Sequence, residues 1–137
     1  MKLIPVLLAM SVSGCALSRG PVDHAVSYTN CGEPVQSFKI RYGSYDFPKH
    51  PTNLGYNKCL GGAQYRITIP VPEVAVVEWV SPTGQHHSET VELYAKLKDK
   101  SWFNGDGKLI FEVENETVHV YLVRELPNFK QERSQLQ

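Results

Sequence analysis

The side chains with the most reactive chemistry in this chain are three cysteines, Cys15, Cys31 and Cys59, and five histidines, His24, His50, His86, His87 and His119. A catalytic or redox cysteine needs a stabilised thiolate, supplied by a C-x-x-C partner or a neighbouring base. No C-x-x-C pair occurs, and no histidine stands near a cysteine in a recognisable motif. His86 and His87 are consecutive, so on a strand their rings leave opposite faces and are poorly placed to share a metal. Asn104-Gly105-Asp106-Gly107 has the letters of a calcium loop. Setting Gly107 at the required glycine of an EF-hand, however, puts Trp102 at the first ligand position and Val113 at the last, and the motif fails. A turn between strands explains the same letters. Glu73, Glu78, Glu89, Glu92, Glu112 and Glu114 are dispersed among apolar residues, the pattern of a solvated strand face. Nucleophile-elbow, zinc-protease, dinucleotide and P-loop motifs are all missing. The expectation is a protein with no catalytic residues, no metal and no cofactor.

Cys15 has a different context. Met1 and Lys2 lead into the apolar segment "LIPVLLAMSV", followed by the small residues Ser13 and Gly14. A positive start, a short apolar core and a small-residue processing site are the parts of a bacterial secretory signal. The apolar run is about half the roughly twenty residues a membrane-spanning helix needs. Val12-Ser13-Gly14-Cys15 resembles the lipobox of bacterial lipoproteins. The resemblance implies that residues 1–14 are a signal peptide, that Cys15 is lipidated on its sulfur and becomes the first residue, and that residues 15–24 tether the lipid to the domain. A thiolate suits thioether formation, and acyl chains contribute about 0.8 kcal/mol per buried methylene, so several would anchor the protein stably. Ala16 follows, rather than the aspartate associated with inner-membrane retention, which implies the outer membrane, facing the periplasm or the surface. The competing reading is an ordinary buried cysteine behind a signal-like start.

Lipidation of Cys15 would leave Cys31 and Cys59 as the pair in a compartment where disulfides persist. Closing that loop would stabilise the fold by roughly 3 to 4 kcal/mol. The chain carries 14 Lys and Arg against 14 Asp and Glu in 137 residues, and no basic run suited to tracking phosphates, so nucleic acid is not an expected partner. The length beyond residue 14 suits one compact domain.

The elements that must position these residues read as strands. "AVSYT" (25–29) and "VQSFKIRY" (35–42) flank a turn holding Cys31. Residues 43–62 mix prolines, glycines and aromatics with no sustained period, and read as a long ordered loop tied back by Cys59. "QYRITIPV" and "EVAVVEWV" are strands around a Pro70-Val71-Pro72 break. "HSETVELYAKL" alternates with period two through Val91, Leu93 and Ala95. "KLIFEVE" and "TVHVYLVREL" form a hairpin in which Leu109, Phe111 and Val113 share one face, as do Val118, Val120 and Leu122. About seven short strands separated by turn signals predict a mainly β, small antiparallel β-sandwich-like domain over residues 25–127 with one disulfide-tied long loop. Residues 128–137 read as a polar tail, disordered or briefly helical.

Loop aromatics are the candidates for recognition, because they bury large area at low entropic cost. Tyr45 and Phe47 in the long loop, and Trp102 and Phe103 beside a later turn, are the predicted partner-binding residues; folding back as lids over the sandwich is the other use of such rings.

Cys59-Leu60-Gly61-Gly62, Ile69-Pro70-Val71-Pro72 and Val74-Ala75-Val76-Val77-Glu78-Trp79, followed by His86 or His87, resemble small bacterial lipoproteins of unassigned function that occur beside type VI secretion phospholipase effectors. The likeness covers about residues 55–94. It implies immunity: a lipid-anchored protein of the periplasm or outer membrane that captures an incoming toxic effector and blocks it without catalysis. The alternative is a structural accessory lipoprotein of an envelope or secretion assembly, and a third reading is a small-ligand binder or unrecognised hydrolase.

Overall fold

The computed structural model describes residues 20–60, 62–100 and 107–137. Cys15 and the residues before it, with the expected signal peptide and lipidation site, and the predicted recognition residues Trp102 and Phe103, lie outside the described residues. Nine strands run in the order β1 (Val22–Asn30), β2 (Val35–Tyr42), β3 (Tyr45–Leu54), β4 (Gln64–Ile69), β5 (Val74–Val80), β6 (His86–Glu92), β7 (Gly107–Glu114), β8 (Thr117–Leu126) and β9 (Lys130–Gln135), with a single-turn helix α1 (Tyr94–Leu97) after β6.

They form two packed sheets, one of five strands ordered β4-β1-β7-β8-β9 and one of four ordered β3-β2-β5-β6. The domain is thus the expected mainly β, sandwich-like fold. Among the described residues every pairing is antiparallel but one: β1 runs parallel to β7, with Ala25 opposite Lys108 and Asn30 opposite Val113. That pair joins distant parts of the chain, and alternation alone carries no information about strand direction.

Alternation explains the core. Ala75, Val77 and Trp79 of β5, Leu109, Phe111 and Val113 of β7, and Val118, Val120 and Leu122 of β8 are all buried between the sheets. Each strand sends every second side chain inward. Phe38, Ile40 and Tyr42 of β2, beside β5 in the four-stranded sheet, face β7 and β8 across the same core.

Four expectations are corrected. The region 43–62 is not one long loop, since residues 45–54 form edge strand β3, paired with β2 through an irregular register. Its two prolines, Pro48 and Pro51, are tolerated because only one side of the strand must supply ladder bonds. Residues 22–24 of the segment expected to be a tether belong to the domain instead, because β1 starts at Val22 and His24 is fully buried. "HSETVELYAKL" is a strand only as far as Glu92; α1 follows, and Leu93 and Leu97, four residues apart on one helical face, are both buried. Finally, the polar tail is β9, and the pairing continues past it, with Leu136 donating its N–H to Val120 (2.7 Å) and its side chain buried. Lys96 on α1 holds that end by donating to the Leu136 carbonyl (2.5 Å).

The strand directions sort the connections into two ends. One end, the root, holds Gly20, the β2–β3 turn and the β8–β9 turn. The other, the tip, holds the β1–β2 turn, the β3–β4 loop carrying Cys59, the β5–β6 turn and the β7–β8 turn.

Candidate functional site

The tip is built around two asparagines. Asn30, the last residue of β1 and fully buried, donates from its amide to the carbonyls of Glu33 (2.9 Å), Leu54 (3.3 Å) and Gly55 (3.2 Å), and accepts from the Gly32 N–H (2.9 Å). Asn57 then accepts at Oδ1 from the Thr29 hydroxyl (3.0 Å) and the Asn30 N–H (3.2 Å). Such a buried network rigidifies because each unmade bond would be costly.

The Cys31–Cys59 disulfide closes the same loop across 28 residues. Cys31 N–H donates to the Val113 carbonyl (2.7 Å), and Cys59 N–H to that of Asn30 (3.2 Å). Lys58 and Cys59 both adopt left-handed backbone, with φ of 57° and 61°. This conformation is disfavoured for residues with a Cβ and persists only where surroundings over-determine it. Gly62 is needed for packing as well as conformation: a Cβ there would lie 1.9 Å from the Tyr28 carbonyl oxygen.

This clamped loop presents Tyr56 and Leu60, 56% and 73% exposed. Leu60 is the most exposed large apolar side chain among the described residues. The backbone of a clamped turn is already ordered, so a partner that covers its apolar side chain gains the burial without the cost of ordering the loop.

A second cluster pins the neighbouring turns. Trp79 of β5, 2% exposed, donates from Nε1 to the Asn115 carbonyl (2.8 Å), and its ring stacks on His87 with centroids 4.9 Å apart. His87 Nε2 bonds one oxygen of Glu116, while the Thr83 hydroxyl donates to the other (2.9 Å). Ser81 Oγ lies 2.9 Å from Thr83 Oγ1 and accepts from the Gln85 N–H (3.2 Å). Partial burial of Glu116 opposes ionisation, but hydrogen bonds from Ser81, His87 and Thr83 and the charge of His87 outweigh it and hold its carboxyl below the ordinary range. A serine, a histidine and a carboxylate are thus close together, yet the order is wrong for nucleophilic catalysis. The carboxylate separates the hydroxyls from the imidazole, and among the described residues no hydroxyl is bonded to the histidine that would deprotonate it. The cluster clasps the β5–β6 turn of one sheet to the β7–β8 turn of the other.

Among the described residues one grouping is compact enough for a metal, Cys31, Cys59 and Glu112, with candidate ligand atoms within 4.8 Å. Its two sulfurs are bonded to each other and present no thiolate.

Of the four predicted recognition residues, Tyr45 and Phe47 lie within the described residues and are side by side, but only Tyr45 is exposed. Tyr45 is exposed at the root, stacked on Phe47 at 6.3 Å. Phe47 is corrected to a core residue: β3 turns its ring inward, 4.8 Å from Tyr65 and 6.0 Å from Tyr42, so it offers a partner no free area. His86 is exposed and His87 half-buried, on opposite faces of β6 as their adjacency requires. Leu60 was legible only as an apolar residue placed between Cys59 and a glycine pair, outside any strand period.

Comparison of the chain with protein-family models, curated proteins and solved structures finds no match.

Proposed function

We propose that this protein is a non-catalytic binding module, held by lipid at Cys15 to the outer membrane, that docks a partner protein through its disulfide-clamped tip. The observation that carries this reading is the exposure of Tyr56 and Leu60 on a loop fixed by the disulfide and by Asn30 and Asn57. Interface hot spots are enriched in tyrosine, Leu60 adds apolar area beside it, and a preorganised loop lowers the ordering cost of binding. The layout supports the anchoring as well. β1 starts at the root, and nine strand residues later, about 30 Å at 3.3 Å each, its last residue meets the tip. A lipid ahead of β1 therefore leaves the tip facing away from the membrane. The sharpest version is immunity, in which the partner is a toxic effector and binding covers its active site, burying about 1,200–2,000 Å².

The test pairs the full chain with the product of the adjacent gene. Immunity requires that this product is toxic, that co-expression protects, and that the two co-purify. Tyr56→Ser with Leu60→Ser should then weaken the complex by about tenfold or more without changing the unfolding midpoint. A non-toxic neighbour and no protection would overturn immunity in favour of an envelope-assembly accessory. Undiminished binding by the double variant would overturn the tip as the interface.

A further inference from the structure

The outer face of the five-stranded sheet carries a trough that runs from the root end of β1 up to Cys59 and Gly62 of the tip loop. Two cavities, about 340 Å³ and about 240 Å³, lie along β1 and share Gln64 and Lys108 as lining. The floor is low because the outward residues of β1 are Ala25, Ser27 and Thr29, while β4 and β7 on either side raise longer side chains. From Ala25 to Thr29 the trough runs about 13 Å at roughly 3.3 Å per residue, the length of about four residues of extended peptide.

Its charges are unevenly satisfied. Arg66 pairs with Asp23 (3.0 Å), and Arg133 pairs with Glu112 (2.5 Å) while lying 3.7 Å over the Tyr121 ring. Lys108, where the two cavities meet, is half-buried between Ala25 and Val123 on the neighbouring strands and makes no ion pair or hydrogen bond with the described residues. A partly desolvated ammonium with no counter-charge favours an incoming anion. Glu125, at the root end of the larger cavity, is also unpaired among the described residues and keeps that end from being generally cationic. Beside apolar Val123 and Ile110, Gln64, Gln131 and Ser27 offer groups that both donate and accept, as peptide bonds do.

We infer that this trough receives an extended segment of a partner protein, with an acidic side chain seated at Lys108. Length and lining match a polypeptide, and the single unpaired cation at the junction places its carboxylate. Cys59 and Gly62 of the tip loop close the far end of the smaller cavity, but Tyr56 and Leu60 do not line it and Lys108 lies where the two cavities meet, so the assignment at Lys108 does not depend on the tip being the principal interface.

The experiment uses the full chain in detergent micelles and fluorescein-labelled, acetylated peptides Ser-Thr-X-Thr-Ser with X as Glu, Gln or Lys, read by anisotropy. The Glu peptide should bind about fivefold more tightly than the Gln peptide, the scale of one partly exposed ion pair, and the Lys peptide most weakly. Lys108→Gln should bring the Glu and Gln peptides within about twofold, Lys108→Arg should retain the preference, and Glu125→Gln should tighten the Glu peptide by removing a like charge. Lys39→Gln, on the opposite sheet, should change nothing. Equal binding of Glu and Gln peptides, or a preference that survives Lys108→Gln in a protein with unchanged circular dichroism, overturns the assignment. Displacement of the Glu peptide by sodium acetate at equal concentration makes Lys108 a simple anion site and overturns the extended-segment reading.

Discussion

His24 Nε2 lies 2.8 Å from the Tyr42 hydroxyl, a polar bridge from β1 to β2 through the interior of the sandwich. His24 Nδ1 lies 2.7 Å from the Val22 carbonyl, an acceptor only, so Nδ1 carries the proton and Nε2 accepts from Tyr42. Both groups are held in these states by burial. It lowers the imidazole pKa below its usual 6.5, only partly offset by the Val22 carbonyl and Asp23, and pushes the Tyr42 phenol far up.

Acid should therefore unfold the protein partly through His24. With the folded pKa below the unfolded value of 6.5, the unfolded chain binds the proton more readily, so this contribution is complete above pH 6.5 and lost as pH falls below it. Urea unfolding at pH 7.5 and pH 5.5 should give a lower midpoint at pH 5.5, and His24→Gln should flatten the difference. Tyr42→Phe removes the donor to Nε2 and should cost about 1–3 kcal/mol at pH 7.5.

Reducing the disulfide should cost about 3–4 kcal/mol, measured as the difference in urea unfolding with and without reductant. The loss should be local first. Hydrogen exchange should show the Cys59 and Leu60 amides, bonded to Asn30 and Asn57, losing protection before the amides of β7 and β8. Uniform loss across the sheets would mean that the tip is not an independent clamp.

Trp79 joins the two sheets by both its area and its Nε1 bond to Asn115. Trp79→Ala should destabilise by about 3–5 kcal/mol. Trp79→Phe should cost less, because the ring still packs and only the bond and part of the volume are lost. Thermal unfolding of the two variants gives the order, and equal losses would contradict a role for packing on His87.

The legible part of this fold is the part buried on one face. β5, β7 and β8 advertise themselves through Trp79, Phe111 and Val120 because a strand with one covered face must alternate. β3 and β9 do not, since as sheet edges they bury little: Phe47 is the one buried residue of β3, and β9 has none, its anchor Leu136 lying just beyond. His24 hid for a related reason, as a buried histidine satisfied by a tyrosine eighteen residues away leaves no local trace. The disulfide followed from cysteine counting, but the exposure of Leu60 depends on Asn30 and Asn57, whose bonds cross 24 to 28 residues of chain. Lys108 looked like any strand-face lysine until β1, whose direction beside it alternation could not specify, supplied the floor.

Two glycines in the tip loop separate steric need from loop composition. At Gly62, where φ is 141°, a Cβ would sit 1.9 Å from the Tyr28 carbonyl oxygen, a backbone atom that cannot rotate away; at Gly55 a Cβ meets nothing within 4 Å. Gly62→Ala must therefore push the start of β4 from β1, breaking the bond from Tyr28 N–H to the Ala63 carbonyl (3.3 Å). It should destabilise by about 2 kcal/mol or more, from strain together with the lost bond. Gly55→Ala should lie within about 0.5 kcal/mol of the parent. Unfolding midpoints of both variants, with the disulfide intact, provide the comparison. Equal effects would show that the loop tolerates displacement at β4, and that the clamp on Tyr56 and Leu60 is looser than its hydrogen bonds imply.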